Sequence, residues 1–275
     1  MDTVLPTAPL RASAGASTLA SALVDAPFAF ELDAVTKDYG ERRAVDGLTL
    51  RVPVGSFLGL LGRNGAGKST TLRLLTGLTR PSAGSVRVFG REVLGDAVAI
   101  KRQLGVMPED MALLDLLTGP EYLRFVGRMH GLDEATIDRR QDEMFATLDL
   151  SPGAHTIIAD YSFGMKKKLS LCAALLHGPR LLFLDEPFEG IDPVAARTIK
   201  DLLASLSRRG VTLVLTSHVL EIIERLCPLI AVLDRGKLVS FGSREALQGD
   251  AASLEAVFVA LVAQGAQPRG ELSWL

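Results

Sequence analysis

Hydrophobic positions along the chain keep three rhythms, and each predicts a different kind of element. Phe28, Phe30 and Leu32 alternate with smaller or polar residues, and residues 44–52 read as a further strand broken at Gly47. Residues 56–61 form a short apolar run that ends in a glycine-rich segment. After it, residues 68–76 take helical spacing with Leu72 and Leu75 inward. From residue 110 to 150 the strand signal fades. Leu123, Val126 and Met129, then Met144, Phe145 and Leu148, recur at helical intervals, and Thr118 with Glu121 three residues later predicts a capping box at the first helix. Apolar runs at 181–184, 211–216 and 229–233 then read as strands, with a helix at 193–206 between the first two. Strands buried on both faces and separated by helices imply an α/β domain with a mainly parallel sheet.

Local signals sharpen several boundaries. Asp192-Pro193 is a favourable helix start, because aspartate caps the first N–H groups and proline's missing N–H is not needed there. Asp234-Arg235-Gly236-Lys237, between two apolar runs, predicts a hairpin. Beyond residue 243 two short helical stretches are expected, the second around 254–262. The expected organisation is a disordered Ala/Ser/Pro-rich tail at 1–27, one large domain over 28–242 with a helical subdomain at about 110–165, and a helical appendage at 243–275.

The chain has 275 residues, 48% of them hydrophobic, enough for a substantial core. Its 30 Lys and Arg against 32 Asp and Glu give a formal charge of −2, so no basic field favours nucleic acid as a main partner. Cys172 and Cys227 lack any CxxC spacing, which argues against zinc and for buried thiols. The apolar runs are strand-length, well short of the roughly 20 residues of a membrane-spanning helix. Lys166-Lys167-Lys168 reads as a solvated helix face.

The chemistry concentrates at Gly62-Arg63-Asn64-Gly65-Ala66-Gly67-Lys68-Ser69, which fits G-x-x-x-x-G-K-[ST] between a predicted strand and a predicted helix. Glycines let successive N–H groups curl around phosphate oxygens, and the helix start adds partial positive charge. Lys68 is expected to contact the β- and γ-phosphates and Ser69 a magnesium ion, with Thr70 completing the phosphate-binding set. A second constellation is Asp185-Glu186, two carboxylates at the C-terminal end of an apolar strand, where ligands bind in open α/β sheets. Asp185 suits magnesium, and Glu186 suits orienting or deprotonating the water that attacks the γ-phosphate. His218 comes directly after the 211–216 strand at the same sheet edge.

In this order the motifs resemble the nucleotide-binding domain of ABC transporters over roughly residues 30–242. The resemblance implies a P-loop NTPase core with an N-terminal antiparallel β subdomain and an inserted α-helical subdomain, binding ATP and Mg2+. Tyr39 matches the aromatic that stacks on adenine. Tyr161-Ser162-Phe163-Gly164-Met165 resembles the family signature LSGGQ; Ser162 and Gly164 match, while Phe163 and Met165 depart. Glu109 falls where the family places a glutamine that touches the metal. Glu189-Gly190-Ile191-Asp192 resembles the loop that crosses the dimer interface, and His218 matches the switch histidine.

The resemblance further implies a homodimer, or a pairing with a second ATP-binding subunit, in which Ser162 and Gly164 of one chain complete the ATP site of the other. A separate membrane-spanning permease is the implied partner, docked on the 110–150 block, with the chain on the cytoplasmic side of the cell membrane. Met111, Leu113, Leu114, Leu116 and Leu117 suit either such docking or plain core packing. The variants at Glu109 and 161–165 resemble an exporter branch. The rival expectation is a soluble ABC-type ATPase acting in translation or DNA repair; the single cassette, the absence of zinc spacing and the slight negative charge disfavour it.

Overall fold

A computed structural model describes residues 28–95, 97–249, 251 and 253–263. The expected tail at 1–27 and the end of the appendage lie outside them. Two sheets organise the rest. Strands β1 (Phe28–Tyr39), β2 (Arg42–Pro53), β4 (Ala83–Val88) and β5 (Arg91–Glu92) form an antiparallel sheet in the order β2-β1-β4-β5. A six-stranded sheet runs β10-β9-β3-β8-β7-β6, built from β3 (Phe57–Leu61), β6 (Leu104–Met107), β7 (Leu181–Asp185), β8 (Thr212–Thr216), β9 (Leu229–Asp234) and β10 (Lys237–Ser243). All its pairings are parallel except β9 with β10, the hairpin expected at 234–237. Arg235 and Gly236 both take positive φ, 47° and 80°, as a tight two-residue hairpin turn requires.

Alternate residues on the central strands serve opposite cores. Leu182, Leu184, Leu213 and Leu215 join one apolar cluster; Leu181, Phe183 and Val214 join the other, where Phe183 meets Phe30 from the β1 sheet. This two-sided burial is the physical reason the runs at 181–184 and 211–216 lack polar alternation. The helices are α1 (Lys68–Leu75), α2 (Ala97–Lys101), α3 (Gly119–Met129), α4 (Glu134–Thr147), α5 (Phe163–Leu175), α6 (Pro193–Arg208), α7 (Leu220–Leu226), α8 (Arg244–Gln248) and α9 (Leu254–Ala263).

Caps fix the helix starts where the sequence places them. Thr118 accepts from the Glu121 N–H while the Glu121 carboxylate accepts from the Thr118 N–H, the expected capping box. Asp192 accepts from the N–H groups of Val194 and Ala195, each at 3.0 Å, with Pro193 in the first turn.

The structure also corrects details. Gly47, at φ 60°, does not break β2; it marks a shift in the pairing with β1, and the strand continues through it. Of the residues at helical intervals in α3, Leu123 is fully buried while Met129, at the helix end, is 75% exposed. Of the apolar residues before α3, Leu113 and Leu117 pack against the larger core, whereas Leu114 and Leu116 are exposed, Leu116 at 85%. In the appendage Leu254 is buried, and Leu247, Phe258 and Leu261 pack on the same core.

Candidate active site

The turn from β3 into α1 is shaped by what glycine permits. Gly67 sits at φ 105° just before α1, and a Cβ there would lie 2.7 Å from the Ala44 carbonyl oxygen. At Gly62 an added Cβ would fall 2.6 Å from the Leu233 carbonyl oxygen. Backbone therefore packs on backbone, and any side chain would push the loop open. The helix begins without a side-chain cap, so its first N–H groups and its positive dipole end face the loop as an anion site. Lys68 is buried inside the curl, its Nζ donating to the Gly62 carbonyl at 2.7 Å and to that of Arg63 at 3.4 Å. An ammonium has three donors, so these carbonyls orient it and leave one to turn toward an anion.

Around this loop lies a cleft of about 580 Å³, lined by Tyr39, Arg42, Ala44, residues 63–70, Arg73, Glu109, Asp185, Glu186, Glu189 and His218. That volume is in the range of small-molecule sites. The cleft thus collects Tyr39, Arg63, Asn64, Gly65, Ala66, Gly67, Lys68, Ser69, Thr70, Glu109, Asp185, Glu186 and His218 from separate stretches of sequence; Gly62 lies beneath the loop. Ser162 and Gly164 do not line it. Ser162 instead caps α5, accepting from the Met165 N–H at 3.2 Å, on an exposed surface.

The lining of the cleft carries both signs of charge. Arg42, Arg63, Lys68 and Arg73 suit a polyanion. Asp185 ends β7 and Glu186 follows it, both buried. The Thr216 hydroxyl at the end of neighbouring β8 donates to Asp185 and accepts from the Glu186 N–H at 3.2 Å. Glu186 adopts φ 48°, in the left-handed region that residues other than glycine seldom occupy. Its Oε2 lies 3.0 Å from Nδ1 of the half-exposed His218. The carboxyl of Glu109 is pushed above its usual range, first by partial burial and then by the negative charges of Asp185, Glu186, Glu189 and Asp110.

The lysine triplet at 166–168 is not uniformly solvated. Lys167 is fully buried, and its Nζ donates to the Glu186 carbonyl at 2.7 Å. Burial lowers the pKa of this ammonium, opposed by Glu189, Glu109, Glu186 and Asp185. A basic triplet reads as surface because lysine is almost never fully buried without a partner; here the partners come from β7, distant in sequence. Thr216, Arg42 and Arg73 likewise escape sequence reading. Arg73 carried the only local signal, lying on the helix that Lys68 opens.

A second cleft, of about 390 Å³, opens between β6, the 108–113 segment, α3 and α5, lined among others by Val106, Pro108, Leu113, Tyr122, Val126, His130 and His177. Phe125 and Met129 of α3 are exposed, as are Leu114 and Leu116 before it. Among the described residues no helix is long and apolar enough to cross a membrane.

Comparison with known proteins agrees with this geometry. A family described as ABC transporter matches residues 45–189, more than half of the chain. The chain is 37% identical over 243 residues to the daunorubicin/doxorubicin resistance ATP-binding protein DrrA of Streptomyces peucetius, covering 88% of this chain and 73% of that one. It is 36% identical to the linearmycin resistance ATP-binding protein LnrL of Bacillus subtilis, covering 76% and 68%. It is 39% identical to the Nod factor export ATP-binding protein I of Paraburkholderia xenovorans, covering 80% and 72%. Among solved structures, an ATP binding subunit of an ABC transporter superposes with a TM-score of 0.80 at 30% identity, covering 84% of this chain and 98% of that one. A dimeric bacterial ABC transporter cassette shares the fold, with a TM-score of 0.73 at 24% identity over 78% and 98%. The phosphate loop, the carboxylate pair at the sheet edge and these relatives lead to one conclusion: the chain belongs to the ABC transporter family, among its ATP-binding subunits.

Proposed function

We propose that this chain hydrolyses ATP as one half of a dimer and drives export through a separate membrane-spanning permease. The observation that carries the reading is the division of the site residues. The phosphate loop, Asp185, Glu186 and His218 share one cleft, while Ser162 and Gly164 sit outside it at an exposed helix start. A second chain facing this one would bring its own Ser162 and the N-terminus of its α5 over the γ-phosphate, a second use of a helix end as an anion site. ATP then bridges the two chains, and loss of the γ-phosphate lets them part.

Within the cleft the roles come from chemistry and placement. Tyr39, 45% exposed at the end of β1, offers its ring to adenine. The loop N–H groups, Lys68, Arg63, Asn64 and Thr70 hold the phosphates. Glu186 orients the attacking water and takes its proton, with His218 steadying the carboxylate and reaching a γ-phosphate oxygen. Oxygen donors at Ser69, Asp185 and Glu109 suit a hard cation. Among the described residues no three His, Cys, Asp or Glu side chains converge on a preformed ion site, which fits magnesium shared with phosphate oxygens. Bound there, the ion would neutralise charge developing on the phosphate oxygens.

Export is supported by the relatives, two of them named for drug resistance and one for Nod factor export. For the permease, the cleft between β6, α3 and α5 together with exposed Leu114, Leu116, Phe125 and Met129 offers an apolar surface beside Glu109. The chain would then sit at the cytoplasmic face of the cell membrane. The domain limits we propose are 28–242 for the cassette, about 110–165 for its helical part, and an appendage after it.

The test is capture of Glu186→Gln with ATP from detergent-solubilised native membranes. Recovery of a multi-spanning protein supports the reading. Repeated recovery of only ribosomal or DNA-repair components would overturn it in favour of the soluble rival.

A further inference from the structure

Glu186 is held in an unfavourable backbone conformation by hydrogen bonds on both sides of its α-carbon, and the shortest of them comes from the helix that starts at Ser162. Residues other than glycine rarely populate φ near 48°, because Cβ crowds the carbonyl oxygen there. Such a residue keeps that geometry only where its surroundings over-determine it. On the N-terminal side the Glu186 N–H donates to Thr216, to its hydroxyl at 3.2 Å and its carbonyl at 3.3 Å. On the C-terminal side the Glu186 carbonyl accepts from Lys167 Nζ at 2.7 Å and, over a longer distance of 3.3 Å, from the Glu189 N–H. The peptide groups flanking the Glu186 α-carbon are therefore fixed from β8 on one side, and from α5 and the turn that follows Glu186 on the other.

We propose that Lys167 is a positioning residue for catalysis: by clamping the Glu186 carbonyl it keeps the carboxylate aimed at the cleft, and it ties that carboxylate to the helix whose first turn carries Ser162 and Gly164. A fully buried ammonium is costly unless paired, so its retention under Asp185, Glu186, Glu189 and Glu109 needs a purpose beyond solubility. Phe163 closes the slot from outside. Its ring centroid lies 5.5 Å from Lys167 Nζ, and the ring packs on Gly190, where a Cβ would collide with it. The departure of the signature segment at Phe163 thus shields Lys167 and joins α5 to the loop after Glu186. In a dimer of the kind proposed above, α5 serves one ATP site and Glu186 the other, so Lys167 mechanically connects the two.

This inference rests on Glu186 acting in hydrolysis, and the experiment separates the two ideas. Steady-state ATPase activity and nucleotide affinity would be measured for the full chain and for Glu186→Gln, Lys167→Met, Lys167→Leu and Lys167→Arg. Lys167→Met, close in volume but without the donor, should lower kcat about tenfold or more, with KM for ATP and nucleotide affinity unchanged within about twofold; tenfold corresponds to about 1.4 kcal/mol. Lys167→Arg, which can donate to the same carbonyl, should recover most of the rate. Should Lys167→Met not fold, Lys167→Leu, which also lacks the donor, takes its place, with the same split expected. Inactive Glu186→Gln beside a Lys167 variant of normal kcat would overturn the clamp and leave the reading of Glu186 standing. A parallel loss of affinity and rate that arginine does not rescue would also overturn the clamp. Full activity in Glu186→Gln would remove the reading itself.

Discussion

Two histidines at the junction of α3, α5 and β6 make the chain's stability depend on pH in a direction the structure fixes. His130 and His177 stack with ring centroids 3.8 Å apart and planes 10° from parallel. His177 Nε2 lies 2.9 Å from the Leu104 carbonyl oxygen, so that nitrogen carries the hydrogen. Protonation must then occur at Nδ1, which is buried and has no hydrogen-bond partner. Burial first, then the neighbouring charges of His130 and Arg140, push His177 from 6.5 down to about 4, against the raising effect of the Leu104 hydrogen bond. Burial, with Arg102 nearby, lowers His130 as well.

The unfolded chain therefore binds a proton that the folded one rejects. The stability this contributes is complete above the unfolded value of 6.5 and is lost as pH falls from there toward 4. Between about pH 7.5 and about pH 5 the full shift gives a loss of about 2 kcal/mol; solvent screening of the partly exposed ring brings the expectation to between about 1 and 2 kcal/mol. Other groups titrate too, so the informative quantity is a difference. Urea unfolding followed by circular dichroism, at both pH values, should show the wild type losing that much more stability than His177→Gln, which cannot titrate. Equal pH dependence in the two proteins, or a wild type that gains relative to the variant on acidification, would refute the reasoning.

Further consequences concern the loop, the core and the extra carboxylate. Lys68→Ala removes a buried ammonium from the phosphate loop and should weaken nucleotide binding about tenfold or more, read by fluorescent-nucleotide titration; undiminished affinity would contradict the phosphate cradle. Phe183→Ala empties a fully buried position that packs against Phe30 and should cost about 3–5 kcal/mol in chemical unfolding. Glu109→Gln removes one of several crowded carboxylates and should leave ATPase activity in place; a dead variant would assign that carboxylate an essential metal role.

Features governed by local physics are legible in the sequence. The glycine loop, the Thr118 and Asp192 caps and the 234–237 hairpin each need only a few adjacent residues, and all appear where the pattern puts them. The buried strands at 181–185 and 212–216 were legible because they are apolar on both faces. By contrast β4, β5 and β6 are short, interrupted by glycine or charge, and gain their identity from partners far along the chain. The same limit applied at the site. Nothing local distinguishes Lys167 from Lys166 and Lys168; only the packing of α5 against β6 and the bond to Glu186, just after β7, bury one and leave its neighbours partly exposed. Thr216 looked like an ordinary strand residue until β7 and β8 were placed side by side. Gly47 shows the converse error, a residue that commonly interrupts strands accommodated as a bulge.

At the centre stands the claim that one chain holds half of each ATP site, with Glu186 needed to break the assembly. Sedimentation of Glu186→Gln with and without ATP measures it. The mass should double when ATP is added and return to that of the single chain when ATP is replaced by ADP. A variant that stays a single chain at saturating ATP, or one that hydrolyses ATP at the wild-type rate, would contradict it.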